Sequence, residues 1–321
     1  MYSKIKNAIY YLSQDPKVFI ASVWTKLAPL FPDKIYLKVL FRIKMGYWMD
    51  FNDPKTFTEK IQWLKLYNRN PEYTTMVDKA AVKNYVAAKI GKDYVIPTLR
   101  VWESPDEIDF DSLPKQFVLK TTHGGGSGGV VICKNKRKLD RDKAINKLRY
   151  GMKSNIYLNS REWPYKNVKK QIIAEQYMMP RDKEDNPTYD LTDYKFYCFN
   201  GEPVYCQVIR DRHTSETIDF YDMDWNLQEF VGLNPVEHLD RMTVAHNGKI
   251  PVDCPEKLTE MKDLCKKLAK DIPFVRIDLY LIDKQIYFGE ITFYPASGIG
   301  VFDPQDWDKK LGDLIKINSH F

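Results

Sequence analysis

The feature that most constrains this chain is a cluster of five of its fifteen glycines between Gly124 and Gly129. Residues that favour β-strands flank the cluster, in Phe117–Leu119 and in Val130–Ile132. Glycines 124, 126 and 129 satisfy G-x-G-x-x-G, but a Rossmann fingerprint opens a helix, whereas a second strand is predicted after this cluster. The G-K-[ST] ending of a Walker phosphate loop is also missing. We therefore predict a β-hairpin with a glycine-rich tip.

Such a tip favours anion binding, because backbone N–H groups can approach an anion closely where no Cβ atoms intervene. Lys120, on the first predicted strand, would direct its ammonium group towards the same anion. Two interpretations stay open from the hairpin alone: a phosphate-binding loop, and a flexible surface hairpin.

Composition and cysteine usage are those of a globular protein with reduced thiols. The chain has 321 residues, of which 44% are hydrophobic, and this suffices for a large core. Five scattered cysteines without a C-x-x-C pair indicate a cytosolic protein, and the histidines lack zinc-site spacing, so we assign no structural metal. No signal peptide is visible, and no apolar run approaches the ~20 residues of a membrane span. We expect a cytoplasmic protein.

The net charge of +6 is concentrated in residues 1–48, which contain eight Lys or Arg and two Asp, whereas the remainder has 41 residues of each sign. A protein-wide nucleic-acid surface is therefore not expected. Lys34, Lys38 and Arg42 recur at intervals of four, which predicts an amphipathic basic helix from Lys34 to Met49. The helix could lie peripherally on the anionic inner face of the plasma membrane. We expect instead that it packs on the domain that follows.

The apolar patterns predict an α+β chain in four parts. A basic amphipathic segment (1–48) precedes an N-terminal α/β lobe (49–110), a glycine-loop lobe (111–180) and a larger, antiparallel C-terminal lobe (181–321). Asn200-Gly201, between two strand-like runs, is the strongest hairpin signal in the chain.

A second predicted hairpin, near the C-terminus, carries paired carboxylates. Alternation places Arg276 and Asp278 on one face of the first strand, and Glu290 and Thr292 on one face of the second. If residues 283–285 form a three-residue turn, Asp278 lies opposite Glu290, with Cβ atoms about 4.5–5.5 Å apart. A two-residue turn would place the two carboxylates on opposite faces.

Two carboxylates at that separation repel each other unless a cation intervenes. Mg²⁺, which prefers oxygen ligands, is the natural cation for such a pair. The alternative is a solvated pair on an exposed hairpin. We expect the metal site.

Five segments follow one another in a specific order: Phe57–Leu64, Asp78-Lys79, Phe117–Gly129, Ala174–Tyr177 and Gly289–Gly298. In order and spacing they resemble the ATP-grasp superfamily and, within it, the teichuronopeptide-biosynthesis (TupA-like) ATP-grasp family. The resemblance extends from about Phe51 to Ile315. It implies an ATP-grasp fold in which ATP lies between the small α/β and glycine-hairpin lobes and the larger antiparallel lobe.

The resemblance also implies roles for individual residues. Lys79 and Lys120 would contact the ATP phosphates, and Lys195 would be a further lysine on the nucleotide side. The glycine loop would close over the phosphates, and the end of the following strand would lie beside adenine and ribose. These two segments comprise Gly124, Gly125, Gly126, Ser127, Gly128 and Gly129, and then Glu175, Gln176 and Tyr177.

By the same resemblance, Arg276 would stabilise the transferring phosphoryl group or the tetrahedral intermediate, while Asp278 and Glu290 would hold Mg²⁺ together with Thr292. The family usually has Glu-x-Asn where this chain has Glu290-Ile-Thr292, so a second magnesium ion would be held less tightly or through water. For Arg210, in the cluster 210–213, two interpretations stay open: a catalytic-site residue that binds the substrate's carboxylate or phosphate, and a salt bridge in a loop.

The function implied is a Mg-ATP-dependent carboxylate–amine ligase that acts on a small-molecule or sugar acid during assembly of a cell-surface polysaccharide such as a capsule. An ATP-dependent phosphotransferase is an alternative, because fold does not fix chemistry. An inactive nucleotide-binding component of a polysaccharide assembly complex is another. The sequence identifies neither substrate nor the oligomeric state.

Overall fold

The computed structural model describes residues 16–126, 128–183, 191–210, 216–234, 247–248 and 250–317, and its helices and antiparallel sheets confirm the predicted α+β class. The helices of this part of the chain are α1 (Pro16–Lys26), α2 (Asp33–Met45), α3 (Phe57–Tyr67), α4 (Glu72–Val77), α5 (Ala81–Ile90), α6 (Arg141–Met152), α7 (Ile156–Ser160), α8 (Leu258–Ala269) and α9 (Asp306–Leu314). The strands are β1 (Thr98–Trp102), β2 (Phe117–Thr121), β3 (Val130–Cys133), β4 (Ile172–Gln176), β5 (Asp193–Phe199), β6 (Glu202–Arg210), β7 (Thr217–Asp222), β8 (Leu227–Gln228), β9 (Val231–Asn234), β10 (Phe274–Ile282), β11 (Gln285–Thr292) and β12 (Val301–Asp303).

The glycine hairpin lies in an antiparallel sheet with the order β1-β4-β2-β3. β2 and β3 form the predicted hairpin, in which Lys120 pairs with Val130. Helix α6 packs on these two strands, and Phe117, Leu119 and Leu148 belong to the core between them. The sheet therefore holds the glycine loop at one end of a packed hairpin.

The carboxylate hairpin lies at the edge of a larger antiparallel sheet with the order β11-β10-β5-β6-β7-β8. The predicted hairpin at Asn200-Gly201 is confirmed, since both residues have positive φ (51° and 88°) and join β5 to β6. Helix α8 packs on β5, β6 and β10 through the buried side chains of Leu264 and Leu268. This packing fixes the central strand β5 beside the hairpin β10–β11.

The predicted basic helix exists as α2, and its inner face is packed. Its buried side chains are Tyr36, Leu37, Leu40 and Phe41. The helix was predicted to continue to residue 49 but ends earlier, because Gly46 adopts a left-handed conformation with φ 86°. Within the described ranges no helix is both long and apolar enough to cross a membrane.

Candidate functional site

The glycine loop is fixed at its base by Thr121. The Thr121 N–H donates to the Gly129 carbonyl at 3.0 Å. A Cβ atom would lie 2.3 Å from Thr121 Oγ1 at Gly124 and 2.5 Å from it at Gly129, so neither position has room for a side chain. Ser127, at the tip, lies outside the described residues.

Lys79 lies against this loop. Its backbone N–H donates to the Thr122 carbonyl at 3.0 Å, and its ammonium group donates to the Gly124 carbonyl. Burial lowers the pKa of Lys79, while the charge of Glu290 raises it and that of Lys120 lowers it. Lys79 is therefore within electrostatic reach of both the glycine hairpin and the carboxylate hairpin.

Glu175 is a carboxylate with only 4% of its surface exposed, on β4 below the glycine loop. Lys120 Nζ lies 2.6 Å from one of its oxygens, and the ammonium group of Lys83 pairs with the other. Burial opposes its ionisation, but the charges of Lys120 and Lys83 lower the pKa of Glu175 to about 2. The carboxylate is ionised and pairs with both lysines.

Lys83 is not among the site residues predicted from the sequence. Its Nζ also donates to the Ile96 carbonyl at 3.1 Å, which fixes the side chain towards Glu175. Lys83 follows Lys79 by four residues, a spacing that would place both on one face if the helix began at Lys79, although α5 begins at Ala81. This spacing was the sequence signal that could have identified Lys83.

In the carboxylate hairpin, the predicted pairing of Asp278 with Glu290 is confirmed, but the three-residue turn that was its stated condition does not form. Ile282 pairs with Gln285, so only residues 283 and 284 form the turn. Both have positive φ (48° and 64°), as two-residue hairpin turns of the primed type require.

A β-bulge at Gly289 reconciles the short turn with the pairing. Leu279 pairs with Phe288, whereas Asp278, one residue further from the turn, pairs with Glu290. Gly289 is thus an extra residue that shifts the register by one and returns both carboxylates to the same face.

Arg276 joins the two carboxylates. Its Nε donates to Asp278 Oδ1 at 2.7 Å, and its Nη2 donates to Glu290 Oε1 at 3.0 Å and to Thr292 Oγ1 at 3.1 Å. Lys195 lies opposite Asp278 in the pairing of β5 with β10, and its ammonium group forms an ion pair with the Asp278 carboxylate. The protein's own cations therefore neutralise the repulsion that the sequence spacing predicts.

The two carboxylates differ in their surroundings. The side chain of Asp278 is 1% exposed, whereas that of Glu290 is 43% exposed. For Glu290, burial of part of the group opposes ionisation, but the charges of Arg276, Lys79 and Lys195 lower its pKa to about 2. Glu290 is an ionised carboxylate that opens towards solvent.

The hairpin presents oxygen donors of the kind that Mg²⁺ prefers, although Arg276 and Lys195 contact both oxygens of Asp278. Among the described residues, no group of three or more His, Cys, Asp or Glu side chains could hold a metal ion. Asp278, Glu290 and the Thr292 hydroxyl do provide hard oxygen donors on one face, and protein-bound Mg²⁺ commonly takes one or two carboxylates and completes its shell with substrate phosphates and water.

Arg210 does not join this cluster in the structure. Its Nη2 donates to Asp219 Oδ2 at 2.9 Å and to the Ile250 carbonyl at 2.8 Å. Gln207, not Arg210, pairs with Lys195, and an odd separation along β6 directs Arg210 to the other face of the sheet. These contacts favour the salt-bridge interpretation, and residues 211–213 lie outside the described residues.

Gln176 and Tyr177 lie at and just after the end of β4. The Gln176 N–H donates to the Pro97 carbonyl at 3.0 Å, and its side chain is exposed. A role of both residues beside adenine and ribose stays a prediction.

The turn after β11 is held by helix α3. Gln62 Nε2 donates to the carbonyls of Ser297 at 3.0 Å and Gly298 at 2.9 Å, and the buried Lys65 donates to Ser297 O and Oγ, both at 2.8 Å. Ala296 and Ser297 have φ values of 46° and 56°, a conformation that costs energy for residues other than glycine. These contacts fix the backbone directly after the carboxylate hairpin.

A family model described as TupA-like ATP-grasp matches residues 59–316 of the chain. Among solved structures, D-alanine–D-alanine ligase from Helicobacter pylori is similar, with 15% identity, a TM-score of 0.40, and coverage of 81% of this chain and 69% of that one. The D-alanine–D-alanine ligase from Bacillus anthracis complexed with ATP has 17% identity, a TM-score of 0.40, and coverage of 75% and 63%. ATP-grasp ligase PsnB, complexed with minimal precursor, Mg and ADP, has 12% identity, a TM-score of 0.37, and coverage of 74% and 57%.

The chain spans 63–69% of the lengths of these two D-alanine–D-alanine ligases. Because all these TM-scores are low, the assignment to a family rests on the match to the family model. No curated protein matches the chain.

Proposed function

The chain belongs to the TupA-like ATP-grasp family, as its sequence predicts, and from this premise we propose that it is a Mg-ATP-dependent ligase. ATP-grasp family members are ATP-dependent ligases. The single observation that carries the proposal is the position of Lys79: its ammonium group contacts the glycine loop, and helix α4, which directly precedes it, packs on β11 of the carboxylate hairpin. The proposed phosphate loop and the proposed metal site therefore border the same space.

ATP phosphates would lie between the two hairpins. The backbone of the glycine loop would donate to phosphate oxygens, and Lys79 and Lys120 would neutralise their charge. Lys195 would contribute from the opposite sheet. Glu175 would keep Lys120 oriented, since a buried ion pair restricts a long side chain.

The reaction we propose has two steps. A carboxylate oxygen of the acid attacks the γ-phosphorus of ATP, the bond to ADP breaks, and an acyl phosphate forms. An amine then attacks the acyl carbon, phosphate leaves, and the amine loses a proton to solvent as the amide forms.

Arg276 would stabilise negative charge on the transferring phosphoryl group, because its guanidinium presents several fixed donors. Asp278, Glu290 and Thr292 would hold Mg²⁺. When bound, Mg²⁺ supplies charge neutralisation at the phosphate oxygens.

The biological setting we propose is assembly of a cell-surface polysaccharide, with a sugar acid or small acid and an amine as substrates. Family membership supports this setting. We further propose a cytoplasmic protein that contacts an anionic membrane peripherally through residues 1–48, since this segment contains the whole net charge.

Phosphate release from Mg-ATP tests the reaction type. The full-length protein would be given panels of acids, amines and hydroxyl acceptors, singly and in acid–amine pairs. A ligase releases phosphate only when a matching acid and amine are both present. Turnover with a hydroxyl acceptor alone would indicate a phosphotransferase, and ATP binding without turnover on any pair would favour an inactive component.

A further inference from the structure

Helices α1 and α2 enclose an open groove with apolar walls. It is lined mainly by Phe19, Ile20, Val23, Leu27, Val39 and Ile43. We call it the α1–α2 groove. Ala21 is the only residue of α1 that is buried, so this helix has little of its apolar surface in the core.

The groove continues into exposed apolar side chains. Ile20 and Val23 in the groove are 49% and 40% exposed, and further along the chain Leu30 is 74% and Ile35 is 51% exposed. Single exposed apolar residues are ordinary on protein surfaces, but a contiguous apolar surface marks an interaction site.

A basic border runs along the same surface. At 100° per residue, Ile35 falls on the same stripe of α2 as the groove residues Val39 and Ile43, and a parallel stripe contains Lys34, Lys38 and Arg42. The three basic side chains are exposed, whereas the opposite side of the helix is packed on the core.

The segment that contains the basic border has almost no acidic residues. Between residues 16 and 48 there are six Lys or Arg and one acidic residue, Asp33. The Asp33 carboxylate lies 2.7 Å from Arg69 and 3.0 Å from Arg161, so it is already bound from the inner side. The surface therefore combines an apolar groove with a strong positive charge.

We propose that the α1–α2 groove and its basic border dock on an anionic lipid bilayer. The apolar side chains would enter the interface, and the lysines would contact anionic headgroups, the two contributions that bind interfacial amphipathic helices. The inference gives the proposed peripheral contact a defined surface, and it does not depend on the ligase reaction.

A bilayer fits this surface better than a second copy of the chain. A two-fold interface through the groove would bring the same basic border from each copy together, and like charges would oppose that association. A bilayer that contains anionic lipids matches both the charge and the apolar groove.

Docking would bring the turn that follows the carboxylate hairpin close to the membrane. Ile299, which follows the turn at 296–298, packs against Ala28, Tyr36 and Leu40, the cluster between α1, α2 and the rest of the protein. The segment after the carboxylate hairpin is thus separated from the docking surface by one packed layer.

Flotation of the full-length protein with vesicles tests the proposal. We expect binding to phosphatidylcholine vesicles that contain phosphatidylglycerol, and none to phosphatidylcholine alone. The double variant Ile20→Ser/Val23→Ser should weaken binding about tenfold, because two apolar side chains no longer enter the bilayer. The control Ile250→Ser changes a side chain of similar character that is 75% exposed elsewhere, and it should bind like the wild type.

The basic border is tested in the same assay. Lys38→Glu/Arg42→Glu should weaken binding strongly at low salt and less at high salt, because salt screens exposed charges. Lys143→Glu/Lys147→Glu, on the exposed face of α6, is the matched charge control and should have a much smaller effect.

Two results would overturn the proposal. One is no binding to anionic vesicles at low salt. The other is unchanged binding by Ile20→Ser/Val23→Ser, which would mean that the groove does not enter the bilayer. A dimer measured by light scattering would then identify a second copy as its occupant. ATP binding by the same variants should match the wild type, so failure of the membrane proposal and failure of the ligase proposal are separate results.

Discussion

Gly289 lies so close to the backbone of Asp278 that a Cβ atom on Gly289 would be 3.0 Å from the Asp278 carbonyl oxygen. The bulge that pairs Asp278 with Glu290 therefore leaves little room for a side chain at position 289. We expect Gly289→Ala to lower the free energy of unfolding by about 1–3 kcal/mol, the usual effect of overpacking. Urea unfolding measures this difference.

The control is Gly128→Ala, because a Cβ atom there meets nothing within 4 Å. It should change the unfolding free energy much less. Equal effects of the two substitutions would show that the bulge does not require glycine.

Asp278→Asn should destabilise the protein, because Arg276 and Lys195 would lose their buried counter-charge. Removing one partner of a buried ion pair typically costs about 3–5 kcal/mol. If repulsion between the carboxylates dominated instead, as the sequence spacing alone suggested, the variant would be at least as stable as the wild type. Asp283→Asn, in the exposed turn of the same hairpin, is the control for chemical denaturation.

Glu175 should contribute to the pH dependence of stability. Its pKa is lowered from the ordinary 4.5 to about 2, so it stabilises the folded state above pH 4.5 and this contribution is lost as the pH falls towards 2. Glu175→Gln should be less stable than the wild type at neutral pH, and the difference should shrink through that pH window. Denaturation at a series of pH values measures it.

Glu202→Gln is the matched control for Glu175, because Glu202 pairs with Lys266 at the exposed surface. Exposed pairs contribute little, so this variant should follow the wild type at each pH. A Glu175→Gln variant with the same behaviour would contradict the buried ion pair.

Much of the candidate site could be predicted because strand alternation is a local property. Alternation placed Arg276 with Asp278 and Glu290 with Thr292, and the flanking apolar residues predicted both hairpins. The pairing of Asp278 with Glu290 was nevertheless right for the wrong reason. The turn has one residue fewer than expected, and the bulge at Gly289 offsets that difference.

Other features depend on tertiary neighbours and could not be predicted from local pattern. Lys83 is a site residue only because β4 brings Glu175 next to α5. Arg276 donates hydrogen bonds to both Asp278 and Glu290. The conformation of its side chain does not follow from the strand register. The inner face of α2 packs on the core, as predicted. The α1–α2 groove exists because α1 covers only part of the outer face of α2.

We propose that the carboxylate hairpin binds Mg²⁺ together with ATP held by the glycine loop. Calorimetry of ATP binding by the full-length protein, with and without Mg²⁺, tests it most directly when the wild type is compared with Glu290→Gln. Asp283→Asn, a carboxylate change in the turn of the same hairpin, serves as control. We expect Mg²⁺ to tighten ATP binding to the wild type and to Asp283→Asn, and to have little effect on Glu290→Gln. Equal tightening in Glu290→Gln, or no ATP binding by the wild type, would contradict the claim.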